Sequence, residues 1–405
     1  MPGPGNDLID EREVEAVARV LRSGYLGRYG PDDDPDFGAE VLTLEQRIAA
    51  LVGVHHAVAV NSGTSAIWAL LSALDIGPGD EVIVPGFTFV ASMSAIIYAG
   101  AKPVLAEVDD TFNLDPVDVE ARITGKTKAI LAVHMLGAPC NLDALGDIAR
   151  RHGIMIIEDA AQAFGGSYHG RRLGSIGIAG AYSFNIYKTI TCGDGGMLVT
   201  DTPDLYERCF ALHDQGHLPL RHGTEIGQRP FLGLNLRMTE LSGAVLNVQL
   251  DKLDYILTTL RSNKAALRAA IETIPGVNFR RLADPEGDVA THLVVVLPDA
   301  PGATAVAAEL GTKTLANSGW HVYANMEHLR SRRIVSGFAR SVADYVADPG
   351  LLPATDALLA RSITLGIGVV DAGIGSAFGL NVRSTPFDIE QVAKRFQVAV
   401  ERHVH

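Results

Sequence analysis

Ile154-Met155-Ile156-Ile157-Glu158-Asp159-Ala160-Ala161-Gln162 is the stretch whose reading decides the fold. Four apolar residues in a row show no alternation of wet and dry faces, so a strand here is covered on both sides, as in a parallel sheet clad by helices. The two carboxylates and small residues that follow mark its end. Working upstream, residues 142–150 carry helical apolar spacing, 129–133 form another apolar strand, and 103–105 a shorter one. Residues 91–99 again read as a helix, 81–84 as a strand, and 65–74 as a helix stopped by Gly77-Pro78-Gly79. Residues 57–60 are strand-like, after a helix over 44–52 that Gly53 ends. Downstream, 180–184 and 196–200 are further strand candidates. This alternation predicts an α/β fold with six or more mostly parallel strands between helices, whose ligands sit beyond the carboxyl ends of the strands.

Residues 241–274 read as one or two long helices, after which shorter mixed segments follow, among them a strand at 291–297 and a helix at 389–400. A smaller C-terminal domain is therefore expected. The 405-residue chain, 47% hydrophobic and 20% charged, has the composition of a globular protein with room for two domains. A formal net charge of −13 with no run of Lys and Arg argues against nucleic acid as a partner. Neither a basic stretch leading into an apolar one at residues 1–10 nor a run of about twenty apolar residues is present, which predicts a cytoplasmic protein without a membrane span. Cys140, Cys192 and Cys209 are too scattered for a disulfide framework or zinc site and read as free thiols. The 13 histidines show no metal-ligand spacing, adjacent His55 and His56 included, so no metal is assigned.

Three short motifs fall where strands give way to loops. Asn61-Ser62-Gly63-Thr64-Ser65 places small residues and hydroxyls at a helix start, which serves either as an ordinary cap or as a phosphate seat. Asp159 follows a buried strand, so it either N-caps a following helix or needs a cation such as the protonated pyridine nitrogen of pyridoxal 5′-phosphate (PLP). Lys188, in Tyr182-Ser183-Phe184-Asn185-Ile186-Tyr187-Lys188, has apolar surroundings. It either reaches solvent or Asp194, or is a desolvated amine ready to condense with a carbonyl.

Together with Pro85-Gly86-Phe87-Thr88-Phe89 and Gly193-Asp194-Gly195-Gly196, these ordered motifs resemble the DegT/DnrJ/EryC1/StrS aminotransferases over residues 44–260. The resemblance implies the PLP-dependent transferase fold type I. Its large domain, residues 1–260, has a mostly parallel, seven-stranded type of sheet between helices and an N-terminal arm; a smaller α+β domain occupies 261–405. It implies that Lys188 carries the cofactor as an imine and moves a proton, and that Asp159 pairs with the pyridine nitrogen. Phe89 and Ala161 would lie on opposite faces of the ring, with Gln162 on its hydroxyl. Gly63, Thr64, Ser65 and Ser183 would hold the phosphate. Asn235 would enter the site of a neighbouring subunit, making the active form a homodimer. The implied reaction takes an amino group from glutamate or glutamine to a keto sugar, cyclitol or related small ketone by ping-pong chemistry. Alternatives are a dehydratase or isomerase of the same fold, or a noncatalytic PLP-binding regulator; a related dehydratase branch replaces the lysine by histidine, so Lys188 favours transamination.

The chain departs from the family pattern at several places. Ile186-Tyr187-Lys188-Thr189 replaces Pro-Thr-Lys-Asn, Gly233-Leu234-Asn235-Leu236-Arg237 lacks two usual tyrosines, and residues 321–329 change a His-Tyr-Pro-like segment. A glycine-rich run at 365–379 stands where a shorter, proline-containing strand is expected. These changes favour a smaller ketone over a nucleotide-linked sugar. Asp32, Asp33 and Asp34, in the loop 31–36, read as a solvated acidic loop rather than a substrate entrance, and His134 and His321 as hydrogen-bonded structural histidines.

Overall fold

The computed structural model describes residues 2–31, 33–219, 229–342 and 344–404. Its strands are β1 (His56–Val60), β2 (Glu81–Pro85), β3 (Lys102–Ala106), β4 (Thr127–Val133), β5 (Met155–Asp159), the short pair β6 (Ser167–Tyr168) and β7 (Arg171–Arg172), β8 (Ala179–Ser183) and β9 (Gly196–Thr200), then β10 (Asn278–Phe279), β11 (His292–Val296) and β12 (Ser362–Gly366). Seven of them form one sheet in the order β1-β9-β8-β5-β4-β2-β3. Pairings from β8 across to β3 are parallel, whereas β9 runs antiparallel to both β8 and β1. The carboxyl ends of β1, β2, β4, β5 and β8 therefore share one edge.

Side chains along each strand alternate between two cores, one on each face. Ala57 and Ala59 of β1, with Ile130 and Ala132 of β4, pack with Leu44 and Ile48. Val58 and Val60, with Ala129, Leu131 and Val133, pack with Ile67 and Leu70 on the opposite face. Both sets are buried, which is why the strands read as continuous apolar runs rather than alternating ones. Each large aliphatic side chain removed from water in this way contributes about 1.5–3 kcal/mol.

The covering helices start and stop where their ends are satisfied. Ser62 accepts the Ser65 N–H to cap the helix Gly63–Ala73, and Asn141 accepts the Ala144 N–H to cap Leu142–His152. Gly53 ends the helix Glu40–Val52 in the left-handed region, at φ 81°. The long helical stretch is two helices, Glu240–Asp251 and Leu253–Ile271, the second of which runs through residue 260. Beyond it, β10, β11 and β12 make an antiparallel sheet flanked by the helices Ala300–Leu310 and Pro386–His403. Among the described residues no helix is long and apolar enough to cross a membrane.

Within the loop 31–36, Asp32 lies outside the described residues; Asp33 and Asp36 are exposed, and Asp34 accepts the Tyr25 hydroxyl. Cys140 and Cys209 are buried free thiols and Cys192 is half-buried.

Candidate active site

A cavity of about 630 Å³ opens at the shared carboxyl edge of the sheet, in the range of small-molecule sites. The chain enters it from five strand ends, those of β1, β2, β4, β5 and β8. After β1, the helix Gly63–Ala73 presents its first turn. The N–H groups of Gly63 and Thr64 have no acceptor within a helix that begins there. Gly63 and Gly196 are required by close approach: a Cβ on Gly63 would lie 2.7 Å from the Ser183 Cβ, and one on Gly196 only 2.3 Å from the Ser62 carbonyl oxygen. Backbone at the end of β8 and the start of β9 thus closes onto this helix terminus. Gly63, Thr64 and Ser183 line the cavity, joined by Ser62. Ser65 is not among the lining residues; its N–H goes to Ser62 Oγ at 3.1 Å and its hydroxyl to Asn61 Oδ1 at 2.6 Å.

Asp159 is the last residue of β5 and is 4% exposed. No helix follows for it to cap. Its Oδ1 accepts the Ala161 N–H at 3.1 Å, and its Oδ2 accepts the Ser92 hydroxyl at 2.7 Å, Ser92 in turn meeting Thr88 Oγ1 at 2.8 Å. The strand end is anchored from below by Glu158, which is fully buried. Glu158 Oε1 accepts the N–H groups of Ile176 and Gly177, and Oε2 accepts that of Gly174. His134 Nε2 donates to Glu158 Oε2 at 3.0 Å while its Nδ1 accepts the Cys140 N–H, the tautomer that satisfies both. Burial alone would raise the Glu158 carboxyl; the His134 and backbone hydrogen bonds outweigh it and hold the group below its ordinary range.

Lys188 follows β8 on a turn whose N–H bonds the Asn185 carbonyl at 2.9 Å. Burial pushes its amine below the ordinary lysine value, against the opposing pull of Asp159 and then Asp371. Among the described residues no ion pair joins Asp194 to Lys188, and Asp194 Oδ1 accepts Asn185 Nδ2 at 3.0 Å. Phe89 and Ala161 line the cavity, as does Gln162, whose Oε1 accepts the Leu136 N–H at 2.9 Å and leaves its amide NH₂ as the remaining donor. Asn235 is exposed and does not line this cavity.

The structural role expected of both histidines applies to His134 and not to His321. His321 lines the cavity with its ring centroid 5.2 Å from that of Phe89. Its Nδ1 is buried without a partner, and burial, then the charge of Lys188, push its pKa down to about 3. Asn185, Tyr187, Trp320, Asp371 and Gly373 are lining residues to which sequence reasoning gave no role, and Asp194, considered there only as a partner for Lys188, lines the cavity too. The glycine-rich run that misfits the family pattern was the available signal for Gly373. Ser92 had a fainter one, its spacing one helical turn beyond Thr88.

The arrangement fits PLP on these observations: unused N–H groups at a helix start for a phosphate, a buried carboxylate oriented by Ser92, and a desolvated amine between aromatic and small walls. The sequence model of the DegT/DnrJ/EryC1/StrS aminotransferase family matches residues 7–326. GDP-perosamine synthase of Caulobacter vibrioides is 44% identical over 218 residues, covering 54% of this chain and 58% of that protein, less than two thirds of its length. L-glutamine:2-deoxy-scyllo-inosose aminotransferase of Streptomyces kanamyceticus is 38% identical over 315 residues, 74% of this chain and 73% of that protein. Among solved structures, S. venezuelae DesV in complex with a ketimine intermediate matches with a TM-score of 0.74 and 32% identity, over 97% of this chain and 94% of that one.

Proposed function

Because the chain belongs to the DegT/DnrJ/EryC1/StrS aminotransferase family, we propose that it binds PLP through Lys188 and transfers an amino group from glutamate or glutamine to a keto sugar, cyclitol or related small ketone. The observation that carries this reading is the meeting, in one cavity, of a depressed lysine amine, a buried strand-end carboxylate and a helix start with unused N–H groups. A relative whose name specifies L-glutamine and a cyclitol ketone supports the donor and acceptor classes. The protein is proposed to work in the cytoplasm as a homodimer, with Asn235 reaching the partner's site.

Bound PLP supplies an aldehyde for reversible amine attachment and a ring that withdraws electrons from the attached carbon. The protein's part is binding, orientation and proton transfer. Gly63, Thr64 and Ser183 would hold the phosphate, with Ser62 beside them and Ser65 acting through the cap it completes. Asp159, aimed by Ser92 and the Ala161 N–H, would pair with the pyridine nitrogen. Phe89 and Ala161 would confine the ring, and the Gln162 NH₂ would meet its hydroxyl. Lys188 Nζ, displaced by the incoming amine, would accept a proton from the substrate carbon and return it one position away. Its lowered affinity for protons suits both halves of that task.

The described wall beyond the cofactor position carries Asn185, Tyr187, Asp194, Trp320, His321 and Asp371, and no Arg or second Lys. This composition favours a hydroxyl-rich acceptor over one bearing a diphosphate. Adding glutamate or glutamine to PLP-loaded protein is expected to bleach the visible cofactor band and release one keto acid per site; a band unchanged by either donor would refute the aminotransferase reading and favour a noncatalytic role.

A further inference from the structure

The turn bearing Lys188 has a neighbour far away in sequence. Beyond β12 the chain forms a tight loop whose centre is Asp371. The Asp371 N–H bonds Ser376 Oγ at 3.0 Å, its carbonyl accepts the Ser376 N–H at 2.9 Å, and its Oδ1 accepts the Gly373 N–H at 2.7 Å. Gly375 takes φ 78° with its Cβ position 2.9 Å from the Lys313 carbonyl oxygen, a place only glycine fills without strain. The N-terminal segment ties this loop to the lysine. Pro2 accepts the Val370 N–H at 3.0 Å, and Gly3 lies so close to the Lys188 turn that a Cβ would sit 2.8 Å from the Ile186 carbonyl oxygen and 2.9 Å from that of Lys188.

Asp371 thereby lines both the main cavity and a chamber of about 40 Å³ beside Lys188, shared with Gln162, Tyr187, Thr189, Thr291, His292 and His321. Of the titratable groups around the lysine, His292 of β11 and His321 are pushed down to about 3 by burial, and Asp194, which accepts Asn185 Nδ2, does not line the chamber. Two carboxylates remain. Asp159 is committed to Ser92 and the Ala161 N–H, whereas among the described residues Asp371 Oδ2 accepts no hydrogen bond.

We propose that Asp371 is a positioning residue for Lys188, its carboxylate drawing the protonated lysine nitrogen across the chamber that the two residues share. This rests on the reading that Lys188 carries PLP. The glycine-rich loop is then an active-site element whose purpose is to bring a second negative charge to the amine. Removing that charge makes the nitrogen harder to protonate, so its pKa falls.

The test is an absorbance titration of the PLP-loaded protein, in which the visible band reports protonation of the Lys188-linked nitrogen. Asp371→Asn is expected to lower the midpoint by about one pH unit, the lower end of the effect of a neighbouring opposite charge. Asp371→Glu is expected to stay nearer the unmodified value. Asp371→Ser, a second uncharged variant, is expected to repeat the downward shift if the asparagine variant folds poorly. Unfolding midpoints of the variants check that the loop survives. A midpoint unmoved in an uncharged variant that retains the band overturns the proposal. If the unmodified protein shows no such band and borohydride fixes nothing to Lys188, the cofactor reading itself falls, and this proposal with it.

Discussion

Ser92 shows how much of the site depends on a side chain that would never touch substrate. Its hydroxyl is the donor to Asp159 Oδ2, and it is itself buried. Replacing it by alanine leaves that oxygen with one partner fewer in a dry environment. A hydrogen bond to a charged group contributes about 1.5–3 kcal/mol, so Ser92→Ala is expected to weaken PLP binding by roughly tenfold to a hundredfold, read by equilibrium titration of the cofactor. Lys188 and Asp159 were legible in the sequence because a lysine among apolar residues and a carboxylate at a buried strand end both demand a reason. Ser92, His321 and Asp371 were not. A serine within a helix and an aspartate among glycines carry no such demand until the fold brings them to the same cavity.

At the scale of elements, the end of β5 is the joint on which the site turns. Glu158 points to the opposite face from Asp159, and its two oxygens gather three backbone N–H groups and His134. Glu158→Ala would leave four donors without their acceptor, the Gly174 N–H and the His134 ring being fully buried. Loss of one partner from such a buried network costs about 3–5 kcal/mol, an effect expected as a lowered urea midpoint. Loss of cofactor binding should accompany it, since Asp159 is the next residue. The same strand shows why the large sheet could be read in advance. Strands buried on both faces are apolar throughout, and glycines and caps punctuate the helices between them. The reversal of β9 had no such signature, because an antiparallel strand buried on both faces has the same composition as a parallel one. Nor did the two-residue strands β6 and β7, which are too short to show a period.

At the scale of the whole molecule, burial disfavours the charged form of several histidines. His213, His292 and His321 all lie near a pKa of about 3 for this reason, His213 having in addition the charge of Arg28 nearby. Their folded values are below the ordinary value of about 6.5, so the unfolded chain binds protons that the native protein does not. Their contribution to stability is complete above pH about 6.5 and is lost as pH falls toward 3. Glu240, raised by burial to about 7, opposes them with one proton between there and its ordinary value. The net expectation is a fall of about 1–3 kcal/mol per pH unit between roughly pH 6.5 and 5, read as a declining urea midpoint. A midpoint constant over that interval would contradict the assignment of these histidines as buried and neutral.

The whole account depends on where the cofactor is attached. Borohydride reduction of PLP-saturated protein, followed by proteolysis and mass mapping, is expected to place the pyridoxyl group on the peptide containing Lys188 and to leave a Lys188→Ala variant unlabelled. A label on another lysine, or none on a protein that binds PLP, would contradict it.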